Sequence, residues 1–282
     1  MPDALIIDAC RTPRGIGKQG KGALAHLHPQ HLGRTVLEAL VERNGFDTAD
    51  VDDVVWGTSS QVCEQSGDLG RMAALDAGYD VKASGVTLDR FCGSGITSTN
   101  IAANAVMAGM EDLVIAGGTE MMSLPKKGML PMGANNAHLQ DLHPQPHQGV
   151  CADAIATLEG ISRESLDALA AESQRRAAQA IAEGRFDRSL VPVLNLDGTV
   201  ALDHEEFPRP GTTAEPVPPA AGRSARAATH FPVRTPRCSA GGAVQLQPEG
   251  PTDRGRRRTG ARGSPGRPRS RTGRPPHRPA AA

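Results

Sequence analysis

No stretch of the chain offers the roughly 20 consecutive apolar residues that a membrane-spanning helix needs, and Met1-Pro2-Asp3 lacks the basic and apolar regions of a secretory signal. A disulfide framework is also excluded. The five cysteines, Cys10, Cys63, Cys92, Cys151 and Cys238, are odd in number and widely spaced, which reads as thiols in a reducing cytoplasm. Aromatic residues are scarce, with one Trp and one Tyr, so Trp56 and Tyr79 are expected to pack rather than to recognise a ligand. No metal centre is read either. His26, His28 and His31 fit neither a zinc-finger pair nor a helical pair at i, i+4, and they are taken, with His138, His143 and His147, as solvated loop residues.

The formal charge of zero conceals a division. Residues 215–282 hold 14 Arg and no Lys against 3 acidic residues, so the remainder carries 17 basic against 28 acidic residues. The same segment has 12 Pro, one Leu, no Ile and no Met. It cannot bury enough apolar surface to offset the entropy of ordering it, and disorder is expected. Basic tails can bind polyanions, and a non-catalytic polyanion-binding protein is the reading from a different class. With Phe231 as its single aromatic residue, the tail is not taken as a nucleic-acid module.

Before the tail, apolar patterning alternates between two kinds. Residues 4–9 (ALIIDA), 51–56 (VDDVVW), 86–88 (VTL) and 113–116 (LVIA) read as short buried strands. Residues 31–41 and 70–77 have helical spacing, the first ending near Gly45. Strand–helix alternation over about a hundred residues argues for a layered α/β fold with a mainly parallel sheet. Residues 124–149 lose the pattern and read as a surface loop region. Ser162 then caps an amphipathic helix over 164–183, with Leu166, Leu169, Ala170, Ser173, Ala177, Ala180 and Ile181 in one stripe that should pack on a neighbour. Residues 190–196 suit a strand and 205–213 a polar loop. The implied domains are 1–123, an α/β core; 124–214, a loop domain; and 215–282, the tail.

One stretch carries chemistry. Cys92 stands between the strand at 86–88 and a helix expected over 96–107, flanked by Gly93 and Gly95. Ahead of a helix N-terminus, unpaired N–H groups and the positive end of the macrodipole favour a thiolate, the nucleophilic form. In α/β sheets such strand-to-helix turns hold active sites. The glycines leave room for a substrate, while Ile96, Ile101, Ala105 and Val106 are assigned to packing.

Cys92-Gly93-Ser94-Gly95, followed by Ala116-Gly117-Gly118-Thr119-Glu120-Met121-Met122-Ser123, resembles the N-terminal signature of the thiolase family, the acyl-CoA C-acyltransferases and acetyl-CoA C-acetyltransferases. Asp8-Ala9-Cys10-Arg11-Thr12-Pro13, Gly149-Val150-Cys151-Ala152-Asp153, Glu172-Ser173-Gln174-Arg175 and Arg209-Pro210-Gly211-Thr212-Thr213 extend the likeness over residues 4–214. The Gly-Gly-Thr-Glu-Met-Met-Ser run favours a thiolase over a ketoacyl synthase.

The resemblance implies two similar α/β halves, a loop domain inserted in the first, and dimers or tetramers. It implies that Cys92 takes the acyl group of an acyl-CoA, that coenzyme A is a substrate with no permanently bound cofactor, and that Arg209 contacts CoA. Covalent catalysis of this kind divides one difficult step into two. The family's Gly-His-Pro, Asn-Glu-Ala-Phe and late Cys-x-Gly motifs do not occur in the sequence, nor does the strand that completes the first half. Cys238 has no such context. The expectation is a thiolase first half without appreciable turnover of its own, joined at about residue 214 to a tail whose composition resembles a GC-rich gene read out of frame.

Overall fold

Three parallel strands form the sheet of a computed structural model of the chain, which describes residues 3–124, 135–209 and 211–212. They are β1 (Asp53–Gly57), β2 (Val86–Leu88) and β3 (Val114–Gly118), in the order β2-β1-β3. In register, Val55 lies beside Val86, and Trp56 beside both Thr87 and Gly117. The expected disorder of residues 215–282 lies outside the described residues.

Helices α1 (Pro29–Asn44), α2 (Leu69–Asp76) and α3 (Ser94–Ala108) complete the core. Helix α1 starts where Pro29 presets φ and His28 Nδ1 accepts the Gln30 N–H at 3.2 Å. It stops at Gly45, whose φ of 66° is the left-handed cap the sequence suggested. Side chains alternate across a strand, and β1 shows what each face meets. A Cβ on Gly70 of α2 would fall 2.4 Å from the Trp56 Cβ, and one on Gly57 would fall 2.8 Å from Ser94 of α3. Hence α1 and α2 cover the Trp56 face, α3 covers the Gly57 face, and the result is three layers.

Leu37, Val51, Val54, Trp56, Leu69, Ala73 and Tyr79 form the buried cluster. Burying each large side chain there contributes about 1.5–3 kcal/mol. Trp56 and Tyr79 are thus packing residues, 2% and 4% exposed. Both polar ends are satisfied: the indole N–H donates to Thr119 Oγ1 at 3.0 Å, and the Tyr79 hydroxyl to the Leu37 carbonyl at 3.0 Å. Burial pushes the Tyr79 hydroxyl pKa upward.

Several expectations are corrected. Residues 4–9 form no strand, and Leu5, Ile6 and Ile7 are 82, 82 and 74% exposed. Hydrophobic composition made them strand-like, but no described strand runs alongside to complete a ladder. Helix α3 buries Ser94, Thr97, Ser98 and Ala102, not the larger residues assigned to packing; Ile96 and Ile101 face outward. The sheet comes so close at Gly57 that only small side chains fit beneath the helix. Val86 is half exposed because β2 is an edge strand.

A short helix, α4 (Ala137–Leu142), interrupts the region read as loop, capped by Asn136, and α5 (Gln148–Leu158) follows. Helix α6 (Arg163–Ala182) starts as expected, with Ser162 Oγ accepting the Ser165 N–H at 3.2 Å. None of its residues is buried, however, and Leu169 is exposed. Of its stripe, Leu166, Leu169 and Ile181 stay exposed, while Ala177 and Ala180 are half-buried. Charge pairs such as Arg163–Asp167 and Arg176–Glu172 line its surface, each of modest worth. The strand read at 190–196 is β4 (Val193–Leu194), paired antiparallel with β5 (Val200–Leu202), which the sequence reading missed. Asp197-Gly198 was the available turn signal, and Gly198 does take a φ of 83°. No helix among the described residues is long and apolar enough to cross a membrane.

Candidate active site

Cys92 occupies the crest of the turn from β2 into α3, where the sequence places it. Asp89 Oδ1 accepts the Phe91 N–H at 2.7 Å, and Ser94 Oγ accepts the Arg90 N–H at 2.8 Å while donating to the Phe91 carbonyl at 2.7 Å. The Gly93 N–H closes back on the Arg90 carbonyl at 3.0 Å. Such tight winding forces Phe91 to a φ of 48°, a left-handed conformation costly for an aromatic residue. The strained turn presents the Cys92 side chain to solvent.

Two features bear on its chemistry. At the start of α3, Gly93 supplies no side-chain cap; the Ser94 N–H is taken by the Phe91 carbonyl at 3.1 Å, and it is the N–H groups of Gly95 and Ile96 that keep their capacity to bind an anion. The flank is also open: a Cβ on Gly95 would meet nothing within 4 Å. Beneath, Ser98 Oγ donates to the Gly117 carbonyl at 2.9 Å, and a Cβ on Gly118 would fall 2.5 Å from the Gly57 carbonyl oxygen. Small residues therefore seat α3 directly on β1 and β3, and that seat fixes the height of the cysteine turn.

Alongside lies a polar clamp that the sequence reading did not single out. Glu120 accepts from the Ser59 N–H (2.6 Å), Ser59 Oγ (2.7 Å), Thr58 Oγ1 (3.1 Å) and Gln65 Nε2 (3.2 Å). Partial burial pushes its carboxyl pKa up, but these donors outweigh it, and the pKa ends below the ordinary value. Thr58 in turn donates its N–H to the Leu88 carbonyl at 3.1 Å, tying the clamp to the end of β2. No motif marks these partners, because Ser59 and Gln65 lie 61 and 55 residues from Glu120.

Arg209 lies elsewhere, exposed, on the loop after β5. Its N–H donates to Gln174 Oε1 of α6 at 2.8 Å, and its carbonyl accepts from Thr212 Oγ1 at 2.8 Å. No hydrogen bond joins it to the cysteine turn. The same loop is fastened to the N-terminal segment. Glu205, its side chain 2% exposed, pairs with Arg11 and, at 3.2 Å, with Arg14 Nε, while Glu206 accepts from the Ile16 N–H at 2.7 Å.

The histidines are not simply solvated. His28 and His147 cap α1 and α5, His31 Nε2 donates to the Leu194 carbonyl at 2.7 Å, and His26 Nε2 pairs with Asn195 Oδ1 at 2.8 Å. Among the described residues none of them reaches the Cys92 thiol, and no group of three His, Cys, Asp or Glu could hold a metal ion.

The fold is a three-layer α/β core with an exposed cysteine on the turn between a parallel strand and a helix. Comparison narrows it. The profile described as "Thiolase, N-terminal domain" matches residues 4–222, and the chain belongs to that family. It is 35% identical over 228 residues to a 3-ketoacyl-CoA thiolase of Vibrio vulnificus, covering 76% of this chain and 56% of that protein. It is 36% identical to one of Shewanella denitrificans, with the same coverage. A crystal structure of the Bacillus anthracis acetyl-CoA acetyltransferase superposes with a TM-score of 0.65 at 29% identity, over 76% of this chain and 57% of that one. The chain thus spans little more than half the length of the relatives it matches, and its fold is the thiolase-like α/β fold.

Proposed function

We propose that the chain carries the acyl-accepting half of an acyl-CoA C-acyltransferase, with Cys92 as the nucleophile. The exposed thiol on a strained strand-to-helix turn, beside uncapped helix N–H groups, is the observation that supports this most strongly. In thiolysis the Cys92 sulfur attacks the keto carbon of a 3-ketoacyl-CoA. The carbon–carbon bond breaks, and the departing acetyl-CoA carbanion takes up a proton. The thiol of a second CoA then displaces the acyl group from sulfur, and Cys92 regains its proton. The reverse direction uses the same acyl-enzyme. CoA enters as substrate, and no resident cofactor is required by these steps. Arg209, an exposed cation on a loop held to α6, is assigned to CoA contact. Residues 1–123 form the catalytic core, 124–214 the loop domain and 215–282 the tail. The setting proposed is the cytoplasm, in a dimer or tetramer, with acyl chains handled as CoA thioesters.

The described residues alone give Cys92 no proton acceptor. General acid–base catalysis contributes roughly 10² to 10⁴ in rate, so a nucleophile without a base should turn over very slowly. The proposal is therefore acyl transfer to Cys92 without sustained thiolysis by this chain. Incubation of the purified chain with acetyl-CoA, followed by peptide mapping, should find acyl label on Cys92 ahead of Cys63 and none there in Cys92→Ala. A folded protein that labels elsewhere first would overturn the nucleophile assignment; CoA-dependent thiolysis abolished by Cys92→Ala would overturn the inactivity.

A further inference from the structure

Both ends of the cysteine turn stand on the same two residues. The carbonyl of Leu88, the last residue of β2, accepts the Thr58 N–H at 3.1 Å. Ser94, which closes the turn, lies so close over Gly57 that a Cβ on Gly57 would fall 2.8 Å from it. Gly57 is paired with Leu88 on one side and Gly118 on the other, and its carbonyl accepts the Thr119 N–H at 3.0 Å. The place of the Cys92 sulfur therefore depends on where the backbone at 57–58 is held. β1 ends at Gly57, so the residues just beyond it need a hold other than the strand ladder.

Glu120 supplies it. Its Oε2 takes Thr58 Oγ1 (3.1 Å), the Ser59 N–H (2.6 Å) and Ser59 Oγ (2.7 Å), while its Oε1 takes Gln65 Nε2 (3.2 Å). Gln65 is buried, and its Oε1 accepts the N–H of Met121, the residue after Glu120. Its Nε2 also donates to the Ser60 carbonyl at 2.9 Å. The loop that leaves β1 is thus closed onto the chain leaving β3 by side chains alone. A satisfied polar network of this kind fixes one geometry. We propose that Glu120 is a positioning residue for Cys92: its carboxylate fixes the backbone at 57–59, on which both ends of the cysteine turn stand, and so sets where the sulfur meets a thioester. This rests on Cys92 as the nucleophile. Glu120 acts through Thr58 and Ser59, without contact with the reacting atoms.

The test reads the rate of Cys92 acylation by acetyl-CoA in the full chain, by peptide mapping, beside the rate of its alkylation by iodoacetamide. Glu120→Gln keeps the shape but turns one acceptor oxygen into a donor, which then faces Gln65 Nε2 or the donors of residues 58–59. It should lower the limiting acylation rate roughly 10- to 100-fold and leave the half-saturating acetyl-CoA concentration unchanged. Adding Gln65→Glu sets an acceptor opposite the new amide and should recover most of the loss. Ser59→Ala, which removes one donor, should show a smaller loss of the same kind, and it carries the test if Glu120→Gln does not fold. Leu37→Ala, which loosens the opposite face of the sheet, should keep the full rate in its folded fraction. Unchanged rates in Glu120→Gln and Ser59→Ala would overturn the proposal, as would a loss that Gln65→Glu leaves in place. An equal loss in Leu37→Ala would overturn it in favour of general loosening. Absence of acyl label on Cys92 in the unaltered chain would instead strike the nucleophile assignment, and the alkylation rates of the same variants would then decide whether Glu120 places the sulfur.

Discussion

Gly57 and Ser94 meet where β1 passes beneath the first turn of α3, so closely that a Cβ on Gly57 would lie 2.8 Å from both the carbonyl carbon and the Cβ of Ser94. Neither atom is the end of a flexible side chain, so Gly57→Ala must lift the helix. Overpacking of this kind costs about 1–3 kcal/mol, measurable by urea denaturation. The same variant should change the rate at which Cys92 is alkylated, because Ser94 holds the cysteine turn through Arg90 and Phe91.

Thiol reactivity should follow exposure. Cys92 faces solvent, whereas Cys10 is half-buried, donates to the Val36 carbonyl, and has its thiol pKa pushed up by burial. Iodoacetamide at neutral pH should label Cys92 well before Cys10, read by mass mapping over time. Equal rates would mean that the turn does not present its sulfur as described.

The Glu205 clasp should make stability acid-sensitive. Burial pushes its carboxyl up, but the Arg14 N–H and the Arg11 and Arg14 side chains outweigh that and hold its pKa below the ordinary 4.5. A folded-state pKa below the unfolded one contributes stability that is fully present above about 4.5 and is lost as the pH falls through the folded value. Glu120, also lowered, adds in the same direction. Glu205→Gln should cost about 1–3 kcal/mol at neutral pH and flatten the acid limb of the stability profile.

Leu37 sits wholly buried against α2 and the sheet. Leu37→Ala should lower stability by about 2–5 kcal/mol, with Cys92 alkylation of the still-folded fraction unchanged, since Leu37 packs on the opposite face of the sheet from α3. A matching loss of Cys92 reactivity in that fraction would show that the two layers are coupled.

Much of the core was legible in the sequence because its signals are local. Gly45 ends α1, Ser162 caps α6, and the runs at 51–56, 86–88 and 113–116 each overlap a strand. Cys92 was legible for the same reason: strand, turn and helix are contiguous there. The Glu120 clamp and the Glu205 clasp were not, since their partners lie as far as 61 and 191 residues away and no short pattern joins them. β4 was read within 190–196, but its partner β5 was missed although the Asp-Gly turn was visible, because a strand of three residues is too short to show alternation.

The amino-acid sequence alone determined the α/β class, the family and the address of Cys92, all properties of neighbours along the chain. The tertiary structure decided which apolar runs are covered. Leu5, Ile6 and Ile7, and Leu166, Leu169 and Ile181 of α6, look buried by composition but stay exposed, while glycines and serines carry the closest packing under α3. Periodicity tells a segment which face is apolar; only elements distant in sequence can bring something to lay against it.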